Sequence, residues 1–408
     1  MRVLIALDKF KHSLTAPQAC DAVADALRET RPGWSHDICP LTDGGDGFCE
    51  ILTRAAGGGF GKMRVEGPRG EPVEAGFGIV PVSSLRPEIR RRLGLPGDEA
   101  GEAAEGGAGA TVALVDLARA SGIVLLPPEK RDPWKTSTFG AGQLLREAIR
   151  RRPAALVLGI GGSATSDLGV GALAALGIEF LDTHGRPLSP FSCGLAPARW
   201  GKIRRIGGRW HPAWPPLFIA CDVTNPLLGP DGAAAVYGPQ KGLAVADIPA
   251  MDAAAARMAR LLCEFAGQPL SLADTPGAGA AGGTAFGLLC VAGGTGTAGA
   301  AGVAGTRLVP GNAFVSAWLD LDARIAAADL VITGEGSYDA SSLSGKGPGA
   351  LVARARELGK PTRVFCGRAD AVTGADAGVH VITPAGMPLE QALCEGAANL
   401  ARATREVF

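Results

Sequence analysis

Five polar loops contain most of the residues in this chain that could do chemistry. They cover residues 7–15, 42–47, 159–169, 221–242 and 334–349. Four of the five directly follow an apolar segment typical of a strand, and glycine, carboxylate, hydroxyl and lysine recur in them. Carboxylates hold Mg²⁺, lysines and backbone amides neutralise phosphate oxygens, and a carboxylate can take the proton of an acceptor hydroxyl. The loops together therefore predict phosphoryl transfer.

Three of these loops also have a plainer interpretation. Asp-Gly in TDGGDG (42–47) and Asn-Pro in CDVTNP (221–226) are turn signals, and GGSATSD (161–167) is consistent with a helix start capped by Ser166 or Asp167. The same run suits an anion, because successive backbone N–H groups at a helix start attract negative charge. A shared site is favoured because acids and lysines recur in several glycine-rich loops at the ends of apolar strands. Its acids are Asp43, Asp167, Asp222, Glu335 and Asp339, and its lysines are Lys11, Lys241 and Lys346.

Several familiar site patterns are excluded. A Walker A loop ending at Lys346 would need glycine at 340 and serine or threonine at 347, where the chain has Ala340 and Gly347. The dinucleotide fingerprint fails at Ala164, and the protein-kinase HRD and DFG motifs are missing from the sequence. No Ser-His-Asp or Cys-His set is evident, which leaves hydrolysis by a nucleophile without support.

Composition restricts the class of protein further. The 408 residues include 40 basic and 40 acidic ones, so no polybasic surface indicates nucleic acid or an anionic membrane as a partner. Nine scattered cysteines favour reduced thiols over a disulfide framework, and five dispersed histidines disfavour zinc. The apolar run near the N-terminus is too short for a signal peptide, and no stretch is long enough to span a membrane. We expect a cytoplasmic protein.

Apolar segments alternating with helical patterns predict an α/β fold with mostly parallel sheets. The predicted strands include 2–7, 35–41, 155–161, 216–223, 329–333, 362–366 and 379–383, with a hairpin at 63–80 and helical sequence at 111–121. The character of the sequence pattern changes near residues 65 and 307. We therefore expect one domain from residues 1–64 and 308–408 and an inserted α/β domain at 65–307. Residues 83–110 are interpreted as an exposed, mobile insertion.

The loops also match a known family pattern. The sequence resembles the type I glycerate kinases nearly from end to end. The matching runs are DKFKHSLTA (8–16), DGGDG (43–47), LLPPEKRDPWKTSTFGAGQL (125–144), GIGGSATSDLGVGALAALG (159–177), ACDVTNPLLGPDGAAAVYGPQKG (220–242), PGAGAAGG (276–283) and ADLVITGEGSYDASSLSGKGP (328–348).

The resemblance implies a flavodoxin-like parallel-sheet domain built from both termini, with an inserted α/β domain like the restriction-endonuclease fold. It implies ATP and Mg²⁺, and phosphorylation of D-glycerate to 2-phosphoglycerate in the cleft between the domains. Base rates favour a homodimer.

On this basis we expect three kinds of site residue. Asp222, Lys11 and Asp43 are the candidate catalytic residues, with Asp222 orienting the hydroxyl or acting as base. The candidate metal ligands are Asp43, Glu335 and Asp339. The candidates for substrate or phosphate binding are Gly161, Gly162, Ser163, Ala164, Thr165, Asp167, Asn225, Lys241, Ser344 and Lys346.

Two departures from the family bear on the acceptor. Ser337 stands where the family often has an arginine after GEG, so Arg307 or Arg368 would have to steady an anionic group instead, and His12 stands where glycine is common. The sequence leaves open an acceptor longer than glycerate, phosphorylation at the 3-position, an exchange of roles among the acids, and a binder that retains the site without catalysis.

Overall fold

The computed structural model describes residues 1–96, 109–208, 214–293, 305–340, 342, 347–370 and 378–408. Within them the chain forms two compact units. Unit 1 combines Met1–Asp43 with Asn312–Phe408, and unit 2 is Gly44–Gly311. A unit from both chain ends with a second unit inserted is the organisation that the sequence predicts, but residues 44–64 and 308–311 lie in unit 2.

The strands are β1 (Arg2–Leu7), β2 (Ser35–Ile38), β3 (Gly59–Glu66), β4 (Pro72–Pro81), β5 (Thr111–Asp116), β6 (Ala155–Gly159), β7 (Ile178–Leu181), β8 (Arg205–Gly208), β9 (Leu217–Ala220), β10 (Arg307–Val309), β11 (Leu330–Tyr338), β12 (Thr362–Ala369) and β13 (Val379–Val381). The α-helices are α1 (Ala16–Thr30), α2 (Phe48–Ala55), α3 (Pro87–Arg92), α4 (Ala118–Ser121), α5 (Phe139–Arg150), α6 (Val170–Ala175), α7 (Ala233–Tyr237), α8 (Ile248–Ala266), α9 (Ala280–Val291), α10 (Gly311–Leu319), α11 (Leu321–Ala327), α12 (Gly347–Glu357), α13 (Leu389–Cys394) and α14 (Gly396–Val407).

Unit 1 is a five-stranded sheet with the order β13-β12-β11-β1-β2, and every strand pair is parallel. Numbered within the unit, this is the 2-1-3-4-5 order of a flavodoxin-like fold, as expected. Helices α1 and α14 cover one face of the sheet and α12 packs on the other. The first helix starts where the sequence predicts, because Thr15 and Gln18 form a reciprocal capping box.

Strand β11 is longer than predicted. The expected strand ended at Thr333, but the ladder with β12 continues to the pair Tyr338–Ala369. Glycine makes this possible, since a Cβ at Gly334 would lie 2.0 Å from the Phe365 carbonyl oxygen. The strand therefore carries Glu335 to the carboxyl end of the sheet.

Unit 2 contains a six-stranded sheet with the order β10-β9-β6-β5-β4-β3. The first four strands are parallel, and the β3–β4 hairpin completes the sheet with antiparallel pairing. The expected helix at 111–121 is wrong, since residues 111–116 form β5 and only Ala118–Ser121 is helical. A strand buried on both faces reads as a continuous apolar run without alternation, which hides its period.

The segment 83–110 is not the exposed insertion that the sequence predicts, as far as it is described. Residues 87–92 form α3, and Leu85, Ile89 and Leu93 are buried. Residues 97–108 lie outside the described part of the chain. No helix in the described residues combines the length and apolarity needed to cross a membrane.

Candidate active site

The carboxyl end of the unit 1 sheet gathers acidic side chains around one lysine. Asp8 follows β1, and its backbone N–H donates to the Gly334 carbonyl of β11 at 2.9 Å. The Lys9 ammonium lies 3.3 Å from Asp43 Oδ1 and 3.8 Å from Asp8 Oδ1. Parallel strands bring their following loops to one edge, which is why residues 8, 43 and 335 meet here.

Glu335 is the most perturbed acid of this edge. Burial, and then the nearby carboxylates of Asp8 and Asp339, raise the pKa of Glu335 to about 7. Its Oε1 atom is buried and accepts no hydrogen bond from the described residues. A cation at this edge would relieve both the repulsion and the unsatisfied oxygen, so the donor set fits Mg²⁺.

The position that departs from the family is paired with an arginine on the next strand. Ser337 lies opposite Arg368 in the β11–β12 ladder, and Arg368 Nε donates to Ser337 Oγ at 3.0 Å. Ser337 Oγ also bonds Asp339 Oδ2 at 3.2 Å. Of the two arginines considered as substitutes, Arg368 is thus at this edge, whereas Arg307 stacks on Phe218 in unit 2.

Three expectations for unit 1 need comment. Lys11 is exposed and makes no ion pair within the described chain, whereas the Lys9 ammonium pairs with Asp8 and Asp43. Ser344 and Lys346 lie outside the described residues. No group of three metal-ligating side chains is preassembled in the described part of the protein. Asp43, Glu335 and Asp339 therefore do not form a complete metal site by themselves.

In unit 2, the loop at 159–169 packs directly on the DGGDG loop. The Gly161 N–H donates to the Gly44 carbonyl at 3.1 Å, and a Cβ at Gly161 would lie 2.8 Å from Gly45 Cα. Glycine is required at 161 because the two backbones are in contact. Gly162 is exposed at the loop tip with φ 74°.

Several residues of the loop at 159–169 are buried or make hydrogen bonds that stabilise the fold. The Ala164 N–H donates to the Ser121 carbonyl, and Ala164 is buried. Asp167 is fully buried; its carboxylate accepts bonds from Thr138 N and Oγ1, both at 2.8 Å, and from the N–H groups of Gly169 and Gly171. Burial raises the pKa of Asp167, and these four donors oppose the shift. Asp167 thus shapes the loop and accepts an N–H of the first turn of α6, but the N-cap of that helix is Gly169 and not Ser166 or Asp167.

Hydroxyl groups and Lys241 distinguish this loop from the acidic edge of unit 1. Lys241 is 2% exposed and its Nζ donates to Ser163 Oγ at 2.9 Å and to the Thr165 carbonyl at 2.6 Å. Burial lowers the pKa of Lys241 to about 7. The Thr165 and Ser166 hydroxyls are buried and make no hydrogen bond within the described chain. Both hydroxyls therefore retain unused hydrogen-bonding capacity.

Asp222 and Asn225 follow β9 in the same unit. Asp222 Oδ2 lies 2.8 Å from the position that a Cβ at Gly311 would occupy. Asn225 donates to the Asp231 carbonyl and accepts from the Tyr237 hydroxyl. Asn225 therefore holds the loop, and Asp222 is the acid of this loop at the sheet edge.

Sequence reasoning missed Asp116, the last residue of β5. It is fully buried, its Oδ1 accepts the Cys49 N–H at 2.7 Å, and its Oδ2 makes no hydrogen bond among the described residues. Burial raises the pKa of Asp116 to about 7. An acid at the end of an apolar run was the available signal, and the helical interpretation of 111–121 concealed it.

Comparison with known proteins places these loops in a family. The model of the glycerate kinase family matches residues 3–408. A glycerate kinase of Halalkalibacterium halodurans is 34% identical over 99% of this chain and 97% of its own length. The glycerate 2-kinase of Escherichia coli K12 is 32% identical over 100% and 97%. A crystal structure of a protein assigned as glycerate kinase 2 from Salmonella typhimurium LT2 matches with a TM-score of 0.72 and 32% identity, covering 100% and 97% of the two chains.

Proposed function

This chain belongs to the glycerate kinase family, and from that membership we propose that it transfers the γ-phosphoryl group of ATP to D-glycerate. The observation that carries the proposal is the family match over residues 3–408, which includes every polar loop described above. We further propose 2-phosphoglycerate as the product, in keeping with the relative named glycerate 2-kinase. Cytoplasmic location and a homodimer belong to the same proposal.

The unit 1 edge is proposed to handle the nucleotide phosphates. Lys9 carries the positive charge that was expected of Lys11, and Ser344 and Lys346 remain candidates for phosphate contact. Asp43, Glu335 and Asp339 would hold Mg²⁺ with Asp8, in part through water. Bound there, the ion would neutralise phosphate charge, which is the chemistry Mg²⁺ supplies in phosphoryl transfer.

The unit 2 edge is proposed to hold the acceptor. Gly162 and Ser163 would bind its carboxylate, and the bond that Lys241 Nζ donates to Ser163 Oγ supports this role. Asp222 orients the acceptor hydroxyl and takes its proton. We propose that the phosphoryl group is transferred between the substrates held by these two sets of residues.

An assay of ADP release tests the activity and separates the alternatives. The purified chain, with ATP and Mg²⁺, is offered D-glycerate, hydroxypyruvate and aldonic acids in turn. We expect ADP with D-glycerate and a phosphorus NMR signal of 2-phosphoglycerate. A longer hydroxy acid as the preferred acceptor would instead implicate Ser337. Ligand binding without ADP from any acceptor would support a non-catalytic binder and contradict the proposal.

A further inference from the structure

Unit 2 contains a pocket that is separate from the residues proposed for catalysis. Its volume is about 340 Å³, within the range of small-molecule sites. Cationic side chains line it, and no acidic side chain does so in the described part of the chain. The four cations are Arg69, Lys135, Arg199 and Lys202.

Three of these cations have no carboxylate partner that would neutralise them. Arg199 and Lys202 are exposed and form no ion pair within the described residues. Lys135 is neutralised by Asp132, with Nζ 2.8 Å from Oδ2. Arg69 donates to the Lys130 carbonyl at 2.8 Å, which fixes the guanidinium without cancelling its charge. Three uncompensated positive charges therefore face one small volume.

The pocket wall is also held in a strained conformation. Ser192 and Cys193 line the pocket and are consecutive non-glycine residues with left-handed φ angles of 52° and 58°. Such residues are costly and cluster at ligand sites. The Ser192 N–H donates to Glu66 Oε2 at 3.1 Å, and Cys193 Sγ donates to the Pro68 carbonyl. The hairpin turn thus holds the strained wall in place.

From this arrangement we propose that the pocket binds a phosphorylated carboxylic acid of small size. A phosphate ester with a carboxylate carries about three negative charges at neutral pH, which matches the three uncompensated cations. Guanidinium groups pair with phosphate and carboxylate through two parallel bonds, and Arg69 and Arg199 supply two such groups. The half-buried Trp134 and Leu188 give the carbon skeleton an apolar wall.

Calorimetric titration with 3-phosphoglycerate tests the proposal. Saturating D-glycerate is present and nucleotide is omitted, so that the substrate site is occupied and no turnover occurs. We expect saturable binding that weakens with salt, and weaker binding of inorganic phosphate and of citrate. The double variant Arg199→Ala/Lys202→Ala should lose about tenfold or more in affinity, as expected for charge-assisted bonds. Both side chains are exposed, so folding should be unaffected.

The control removes the same charge elsewhere in unit 2. Lys62 and Arg260 are exposed and do not line the pocket, so Lys62→Ala/Arg260→Ala should bind as the wild-type protein does. Equal binding by the pocket variant and the wild-type protein would overturn the proposal. So would 3-phosphoglycerate binding no more tightly than inorganic phosphate. Neither result depends on kinase activity, so a failure here is distinguishable from a failure of the proposed function.

Discussion

The carboxyl end of the unit 1 sheet and the loop at 159–169 of unit 2 use acidic residues in opposite ways. At the first, the carboxylates of Asp8 and Asp339 repel that of Glu335, and an oxygen of Glu335 makes no hydrogen bond within the described chain. At the second, Asp167 accepts four hydrogen bonds from the protein. The unsatisfied negative charge at the unit 1 edge suits a cation that carries phosphate groups. In the loop at 159–169 the acid is already satisfied by the protein, so hydroxyls and amides are the groups that remain to bind an organic anion.

The largest effect is expected at Asp222, the acid that we assign to the acceptor. Asp222→Asn keeps the shape of the side chain but removes the base, so kcat should fall by about 10²–10⁴. Steady-state kinetics and circular dichroism check the loss of turnover and the intact fold. The control is Asp231→Asn, because Asp231 lies in the same loop and is exposed. A folded Asp222→Asn enzyme with near-normal kcat would exclude Asp222 from the chemistry.

Glu335→Gln tests the acidic edge. We expect kcat/KM for MgATP to fall by about tenfold to a hundredfold, since one group that stabilises charge is lost. Because the pKa of Glu335 is about 7 when folded, kcat/KM for MgATP should rise with pH through 7 in the wild-type protein and rise less in the variant. Unchanged pH profiles in both proteins would contradict this role.

The same carboxyl group links pH to stability. Its ordinary pKa is near 4.5, so the folded state binds more protons than the unfolded state between about pH 4.5 and 7. The free energy of unfolding should therefore decrease as pH rises through that window, and Glu335→Gln should remove part of the decrease. Asp116→Asn is the counterpart in unit 2, with a window from 3.8 to about 7. Urea titrations at several pH values measure both.

Lys241 should show the opposite dependence. Burial lowers its pKa from 10.5 to about 7, so the unfolded state binds more protons in between. The free energy of unfolding should rise with pH from 7 to 10.5, and Lys241→Met should flatten that rise. Because Lys241 positions Ser163, its replacement should also raise KM for glycerate by about tenfold, with a smaller change in kcat. A changed KM for MgATP alone would assign Lys241 to the nucleotide.

The smallest effect is a difference in stability loss between two threonines of unit 2, one whose hydroxyl is hydrogen-bonded and one whose hydroxyl is not. Thr138 Oγ1 donates to Asp167 and accepts the Ala172 N–H, so Thr138→Val should cost about 1–3 kcal/mol. Thr165 Oγ1 makes no hydrogen bond within the described residues, so Thr165→Val should change stability by about 0.5 kcal/mol or less. Chemical denaturation compares the two. Equal losses would show that the Thr165 hydroxyl is held by the protein.

A mostly parallel sheet in unit 1 was predictable because β1 and the first half of β11 are apolar runs followed by polar sequence. The flavodoxin-like order was expected only from the family resemblance. The length of β11 was not predictable, since a glycine pair such as Gly334 and Gly336 normally signals a loop. Only the approach of the Phe365 backbone shows why the strand continues through them.

Within the site, residue type was easier to predict than residue role. The sequence identified Asp167 and Asn225 as polar loop residues, but it did not identify their hydrogen-bond partners. Thr138 comes from another segment, and Tyr237 follows Asn225 in α7 of the same stretch. The choice between Lys9 and Lys11 depends on which way each side chain leaves the turn after β1. These side-chain directions are determined by tertiary contacts, which a local sequence pattern does not reveal.

The proposal that the unit 1 edge binds the nucleotide and the unit 2 edge binds the acceptor is tested most directly by titrating each substrate separately into two variants. MgATP and D-glycerate are added by calorimetry to Lys9→Ala, in unit 1, and to Ser163→Ala, in unit 2. We predict that Lys9→Ala weakens MgATP binding and keeps glycerate binding, and that Ser163→Ala does the reverse. Loss of the same ligand by both variants, or of both ligands by each, would contradict the account.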